Sequence, residues 1–163
     1  MEQNKKNEEI QVIIFSINEV KYGISIDKII EVIKMEPITP LPKTPEFIKG
    51  VINLRGKVIP VIDLRERFGL PSTEYTSDTR IIITLIEEKK EIGLIVDAVY
   101  EVLTIDSSII EPPLPMVGSL KSEYINGIAK LESNLVLIID IEKILTSEEK
   151  VLLKDREETL DKQ

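Results

Sequence analysis

The segment Tyr22-Gly-Ile-Ser-Ile-Asp-Lys-Ile-Ile-Glu-Val-Ile33 returns, altered, as Ile92-Gly-Leu-Ile-Val-Asp-Ala-Val-Tyr-Glu-Val-Leu103. Gly23, Asp27, Glu31 and Val32 meet Gly93, Asp97, Glu101 and Val102, each 70 positions on. The stretch before it, Gln11 to Glu19, is matched by Arg80 to Glu88. A third block, Gly50-Val-Ile-Asn-Leu-Arg-Gly-Lys-Val-Ile-Pro-Val-Ile-Asp63, pairs with Gly127-Ile-Ala-Lys-Leu-Glu-Ser-Asn-Leu-Val-Leu-Ile-Ile-Asp140, 77 positions on. One β-rich block can match another by chance. Three in the same order, with glycines and aspartates in step, mark a duplication. Each copy has about 65–70 residues, near the lower limit for a self-sufficient core. The expectation is therefore two small barrels packed face to face over a shared third apolar layer. The first is placed at about residues 10–78 and the second at about 79–145.

The local pattern supports a mainly β chain. Short β-branched runs separated by turn residues predict strands at 11–17, 22–26, 57–63, 80–86, 91–96, 101–105 and 135–141. Helices are expected to be few and short. Asp27 is a candidate N-cap for a turn of helix through Glu31, and Leu64 to Phe68 gives one turn before Gly69 and Pro71. A C-terminal helix is predicted over about 146–154, because Thr146 and Glu149 have capping-box spacing and Val151, Leu152 and Leu153 form an apolar side. The charge-rich ends, 1–9 and 155–163, are expected to be flexible tails.

Composition narrows the chemistry. There is neither cysteine nor histidine, so disulfides, thiolate metal sites and the commonest general base are all excluded. No cofactor or metal is expected. A net charge of −8 opposes phosphate backbones and anionic lipid headgroups, which argues against nucleic acid and direct membrane insertion. No secretory signal pattern opens the chain, and no apolar run is long enough to span a bilayer. A cytoplasmic location is expected. Asp27, Asp63, Asp97 and Asp140 occupy repeat-related strand ends, where turn or cap duty is a far commoner role than catalysis. A small carboxylate-based enzyme would need two acids converging in a deep pocket with shifted pKa values.

The sharpest local feature is Asn53-Leu-Arg-Gly56. The second copy has Glu132-Ser133 where the first has Arg55-Gly56, so the first copy is the more specialised. Arg55 reads either as an arginine lying along a strand end or as a planar fork beside a protein-binding surface. Glu31 is a candidate carboxylate for that fork. Pro37, Pro40, Pro42 and Pro45 stiffen one connection, and Pro112, Pro113 and Pro115 its counterpart. Exposed Ile38, Leu41 or Phe47 on such a connection would suit binding, because little ordering is needed there. Ile29, Ile30, Val32 and Ile33 belong mostly to the core, with one or two free to face outward beside Glu31.

Several of these segments, taken together, resemble the CheW family of chemotaxis adaptors over about residues 10–154. The likeness rests on Gly50-Val-Ile-Asn-Leu-Arg-Gly56 followed by Val58-Ile-Pro-Val-Ile-Asp-Leu64. Gly93-Leu-Ile-Val-Asp97, the Pro42-x-x-Pro45-Glu-Phe-Ile-Lys-Gly50 lead-in and the Ile141-Glu-Lys-Ile-Leu145 ending also match. The resemblance implies two SH3-like five-stranded barrels, no catalytic activity, and a cytoplasmic adaptor recruited to membrane-associated receptor arrays. It implies coupling of methyl-accepting chemoreceptors to the histidine kinase CheA, or an equivalent role in a chemosensory pathway with another output. The receptor's cytoplasmic tip would meet Ile29, Glu31, Gly50, Arg55 and Val102. The kinase's regulatory domain would meet Ile38, Pro40 and Leu41, and a second kinase or ring contact would use Glu111 and Met116. Rings of such adaptors within arrays are a further implication.

Overall fold

The structure is a computed structural model that describes residues 8–87, 89–112 and 124–153. Strands β1 (Glu9–Ile17), β2 (Val20–Ser25), β3 (Ile29–Lys34), β4 (Ile48–Leu54) and β5 (Lys57–Asp63) come from the first copy. A single helical turn, α1 (Leu64–Arg67), follows them. The second copy supplies β6 (Arg80–Ile86), β7 (Lys90–Val96), β8 (Ala98–Asp106), β9 (Ile110–Glu111), β10 (Ile125–Lys130) and β11 (Leu135–Ile139). A C-terminal helix, α2, occupies residues 147–153.

The sheets run β8-β1-β2-β11-β10-β9 and β3-β6-β7-β5-β4. Each closes on itself. After β8 pairs with β1, the chain passes through a 3-10 turn (Ser107–Ile109) into β9, which pairs with β10. In the other sheet β3 pairs with β6, and Thr39, just beyond it, bridges to Val51 of β4. With β8 and β9 taken as one strand interrupted by the 3-10 turn, two five-stranded barrels result, as the sequence predicts.

Their composition corrects the assignment of one barrel to 10–78 and the other to 79–145. The hairpin β1–β2 completes the barrel of β8, β10 and β11, while β6–β7 completes that of β3, β4 and β5. The halves have exchanged their opening hairpins. The register carries the repeat faithfully. Ile14 pairs with Gly23 as Ile83 pairs with Gly93, and Gly50 pairs with Val61 as Gly127 pairs with Ile138. The exchanged hairpins join their host sheets by parallel pairing, Gly23 beside Ile138 and Gly93 beside Val61.

Three apolar layers hold the molecule together. Val12, Ile14, Ile105, Ala129, Val136 and Ile138 fill one barrel. Ile52, Ile59, Val61, Ile81, Ile83 and Ile95 fill the other. Between them Phe15, Tyr22, Phe68 and Tyr124 follow ring on ring within a larger shared layer, stacked at either end and tilted between Tyr22 and Phe68. Strand β1 faces a barrel interior through Val12 and Ile14 and the shared layer through Ile13, Phe15 and Ile17. That two-sided burial explains its unbroken apolar run, where a half-exposed strand would alternate. Each such buried side chain contributes about 1.5–3 kcal/mol of transfer free energy.

One element differs in kind from its expectation. Asp27 does not open a helix: the chain makes a 3-10 turn over Ile26–Lys28 and enters strand β3. The Asp27 carboxylate accepts a hydrogen bond from the Ser25 hydroxyl (2.5 Å). The run Ile29, Ile30, Val32, Ile33 favours the pleated form, and pairing with β6 decides it. Two of the other repeat-related aspartates do cap, while Asp97 instead accepts from the Asn18 amide and Arg65. Asp63 accepts from the amides of Arg65 and Glu66 at the start of α1, and Asp140 from that of Glu142. The predicted capping box is present, with Thr146 Oγ1 accepting from the Glu149 amide (3.1 Å) and Glu149 Oε1 from the Thr146 amide (2.9 Å).

Candidate functional site

Strands β4 and β5 are joined by a two-residue turn, Arg55-Gly56, in which both residues have positive φ (52° and 83°). This turn form matches the twist of the strands it joins. Asn53 Oδ1 accepts from the Gly56 amide (3.0 Å) and fixes it. The turn delivers Arg55 to the side of β3, where its guanidinium grips the Glu31 carboxylate with two parallel hydrogen bonds. Nη1 donates to Oε1 and Nη2 to Oε2 (2.8 Å). The arginine side chain remains 70% exposed and the glutamate 27%. The hydrogen bonds and charge of Arg55 hold the Glu31 carboxyl below its ordinary value. A planar, oriented cation is thus displayed on the surface, already ordered by its own partner.

Glu31 is brought into position by a β-bulge. The register of β3 against β6 shifts between Ile29 and Glu31, and the extra residue, Ile30, points outward. The second copy repeats the device: β8 shifts against β1, and Tyr100 is the outward residue. The sequence offers Ile30 as one of four residues of which one or two face outward beside Glu31, and does not single out Tyr100, although aligning the two copies places it opposite Ile30. Tyr100 lies beneath the Lys21 ammonium (4.6 Å to the ring centre), and its hydroxyl meets Ser16 Oγ (3.1 Å).

The remaining expected site residues are distributed. Ile29 packs against the shared layer. Gly50 is buried, at φ 142°, with the Thr39 carbonyl oxygen only 2.1 Å from where a Cβ would stand. It therefore lets the connection bearing Ile38, Pro40 and Leu41 close down on β4. On that connection Pro40 is exposed, while Ile38 packs on a barrel interior and Leu41 on the shared layer. Val102 lies on β8, in the opposite sheet from Glu31 and Arg55, and is exposed. Its counterpart Val32 packs against the shared layer. Glu111 lies exposed on β9, at the point equivalent to Thr39, and pairs with Lys130 (3.2 Å). Met116 lies outside the described residues.

A polar cleft of about 300 Å³ opens between the connection of the two copies and the end of β1. It contains the acids Asp63 and Asp97, the pairing a hydrolase would need, but both are engaged. Asp63 accepts two backbone amides through Oδ1 and the Tyr75 hydroxyl through Oδ2 (3.2 Å). Asp97 accepts from the Asn18 amide (2.8 Å) and from Arg65 Nη2 (2.6 Å). Burial raises the Asp63 carboxyl above its ordinary value, and burial followed by the Asp63 charge raises the Tyr75 hydroxyl. Among the described residues no group of His, Cys, Asp and Glu could hold a metal ion, and no helix is long and apolar enough to cross a membrane.

Interlocked twin barrels with a charged, preordered turn on one of them define a duplicated β-module. The CheW-like domain family matches residues 11–149. The chain is 40% identical to the chemotaxis protein CheW of Bacillus subtilis over 138 residues, covering 85% of this chain and 88% of that one. It is 36% identical to the chemotaxis protein CheW of Klebsiella aerogenes over 143 residues, covering 88% and 86%. The crystal structure of the scaffolding protein TtCheW from Thermoanaerobacter tengcongensis superposes with a TM-score of 0.80 at 44% identity, covering 87% and 96%. The chain belongs to the CheW family of chemotaxis scaffold proteins.

Proposed function

We propose that this chain is a non-catalytic adaptor that couples methyl-accepting chemoreceptors to the histidine kinase CheA. The observation that carries the proposal is the Arg55–Glu31 fork, set on an exposed turn of a family scaffold. An arginine so oriented suits recognition of another protein's carboxylates or helix ends, because its side-chain ordering is complete before contact. The receptor tip meets Ile29, Glu31, Arg55 and Val102, with Gly50 shaping the backbone beside them. The kinase's regulatory domain meets Ile38, Pro40 and Leu41. Glu111, with Met116, provides a second contact to the kinase or to a neighbouring adaptor in a ring. The adaptor works in the cytoplasm, at membrane-associated arrays. Its mechanism is rigid coupling: receptor and kinase occupy separate surfaces of one body, and a receptor state that binds more tightly shifts the kinase equilibrium by the same free energy.

The test is a reconstituted assay of receptor-stimulated kinase phosphorylation. Arg55→Ala is expected to lower stimulation at least tenfold while leaving direct binding of the kinase domain within twofold. Stimulation equal to that of the unaltered chain would remove Arg55 from the receptor surface.

A further inference from the structure

We infer that each half of this chain is the obligate binding partner of the other, so that a half from a second copy can replace its own. The connection across 71–78 then serves mainly as a tether, anchored by the Tyr75 hydroxyl on Asp63. The strand pairings carry the argument. Within the first half, β1 pairs only with β2, and β4 with β5. Strand β3 takes its ladder from β6, β5 is extended by β7, and β2 by β11, all from the second half. Within the second half, β6–β7 and β10–β11 are likewise separate hairpins, and β8 takes its ladder from β1. The first half alone is thus two hairpins, one of them touched by the single Thr39–Val51 bridge, and a strand without a ladder. The second is one hairpin, a second hairpin widened only by the two residues of β9, and a strand without a ladder. Isolated hairpins are marginal in water at best.

The apolar layers divide the same way. One barrel interior needs Val12 and Ile14 from the first half with Val136 and Ile138 from the second. The other needs Ile59 and Val61 from the first with Ile81 and Ile83 from the second. No layer closes within one half, so apolar burial and strand pairing become available only when halves meet. That is coupled folding and binding between complementary chains. Polar contacts cross the same boundary: Arg65 to Asp97 (2.6 Å), and Arg67 to the Ile144 carbonyl (2.7 Å) and Glu149 (3.1 Å). By contrast, residues 71–78 are exposed and irregular. Joining the halves covalently raises their effective concentration and adds no sheet.

The experiment places a protease recognition sequence between Ser72 and Thr73 of the full chain, cleaves the folded protein, and separates the halves in urea. The nicked pair is expected to elute at the intact mass with an unchanged far-UV spectrum. Each half diluted alone is expected to give a coil spectrum, and the two mixed from different preparations a 1:1 complex with the strand signal restored. An isotope-labelled first half is expected to enter that complex as readily as an unlabelled one. Nicked halves that part, a half with a dispersed amide spectrum by itself, or a mixture that stays unfolded would each overturn the inference. None of these readouts uses receptor or kinase, so their outcome is independent of the adaptor role.

Discussion

Arg55 occupies a backbone position that an asparagine would fill with less strain. At φ 52° the Cβ of any L residue crowds the following carbonyl, and asparagine offsets that through local hydrogen bonds of its short side chain, which makes Asn-Gly the preferred pair for this turn. Arginine there serves the surface at the expense of the turn. Arg55→Asn is therefore expected to leave Tm unchanged or raise it by about 1–2 °C, yet to lose receptor-stimulated kinase activity as fully as Arg55→Ala. A drop of many degrees would make the fork with Glu31 a structural brace instead. Asp63 presents the opposite case, a side chain spent wholly on the fold. Its folded-state carboxyl titrates above the ordinary value because it is only 3% exposed. The fold therefore binds its proton more tightly than the unfolded chain does. This stabilisation is complete below the ordinary carboxylate range, near pH 4, and fades as pH rises through the elevated value. Asparagine caps equally well and carries no charge. Urea unfolding from pH 4 to 8 should show Asp63→Asn gaining on the unaltered chain as pH rises, while Asp63→Ala, which loses the cap, starts about 1–2 kcal/mol below it at pH 4 and closes part of that gap as pH rises. A difference between Asn and Asp independent of pH would sink this account.

Among the elements, α1 and α2 hold the two copies together through one side chain. Arg67 lies over the rings of Phe47 (4.4 Å) and Tyr124 (5.3 Å), residues equivalent under the repeat. Its Nε donates to the Ile144 carbonyl (2.7 Å), and Nη2 pairs with Glu149 (3.1 Å) in the first turn of α2. The side chain is only 11% exposed, so water does not substitute for these partners. Arg67→Ala is expected to cost about 3 kcal/mol. Arg67→Lys should recover less than half of that, because a point charge cannot cover both rings and the carbonyl. Equal stability of the lysine variant in urea unfolding would show that charge alone matters. The elements themselves differ in how far the sequence reveals them. The capping box of α2 and the cap at Asp63 depend on neighbours three residues apart and are plain in the string. Strand β3 is not, because Asp27 in front of an apolar run reads as a helix start until β6 is beside it. Strands β4 and β10 also escape element-by-element reading, each interrupted by a bulge at its glycine. The repeat shows that these blocks correspond without showing that they are strands. The fork of Arg55 with Glu31 is within reach because Gly56 marks a turn at Arg55 and Glu31 lies on the segment that follows the second strand. That Val102 lies in the other sheet is not, since alternation does not say which sheet β3 or β8 joins.

For the molecule as a whole, the sequence yields the twofold plan and the three apolar layers, but not which copy's hairpin enters which barrel. Every exchanged pairing joins residues far apart along the chain, and alternation is silent on partners: β1 would satisfy either barrel with the same isoleucines. What distinguishes the outcomes is a crossing between sheets at Ile26–Lys28 in one copy and at Asp97 in the other. The exchange has a consequence for how the molecule responds to stress. Were the barrels contiguous, each would hold its own ladder, and unfolding one would spare the other. Here, loss of β1–β2 from one barrel removes the hairpin linked directly to the body of the other, so both fail together. Urea unfolding is expected to follow one transition, coincident by far-UV circular dichroism and by tyrosine fluorescence. Its slope should be that of the whole ordered chain. The long-range pairings also place refolding among the slower small proteins, on the millisecond-to-second scale. Ala129→Gly in one barrel and Ile59→Val in the other, each shaving one interior, should shift that single midpoint without splitting it. Two resolved transitions, or a midpoint that moves for one probe alone, would mean that the barrels are independent bodies and that a receptor-induced strain on one need not reach a kinase held by the other.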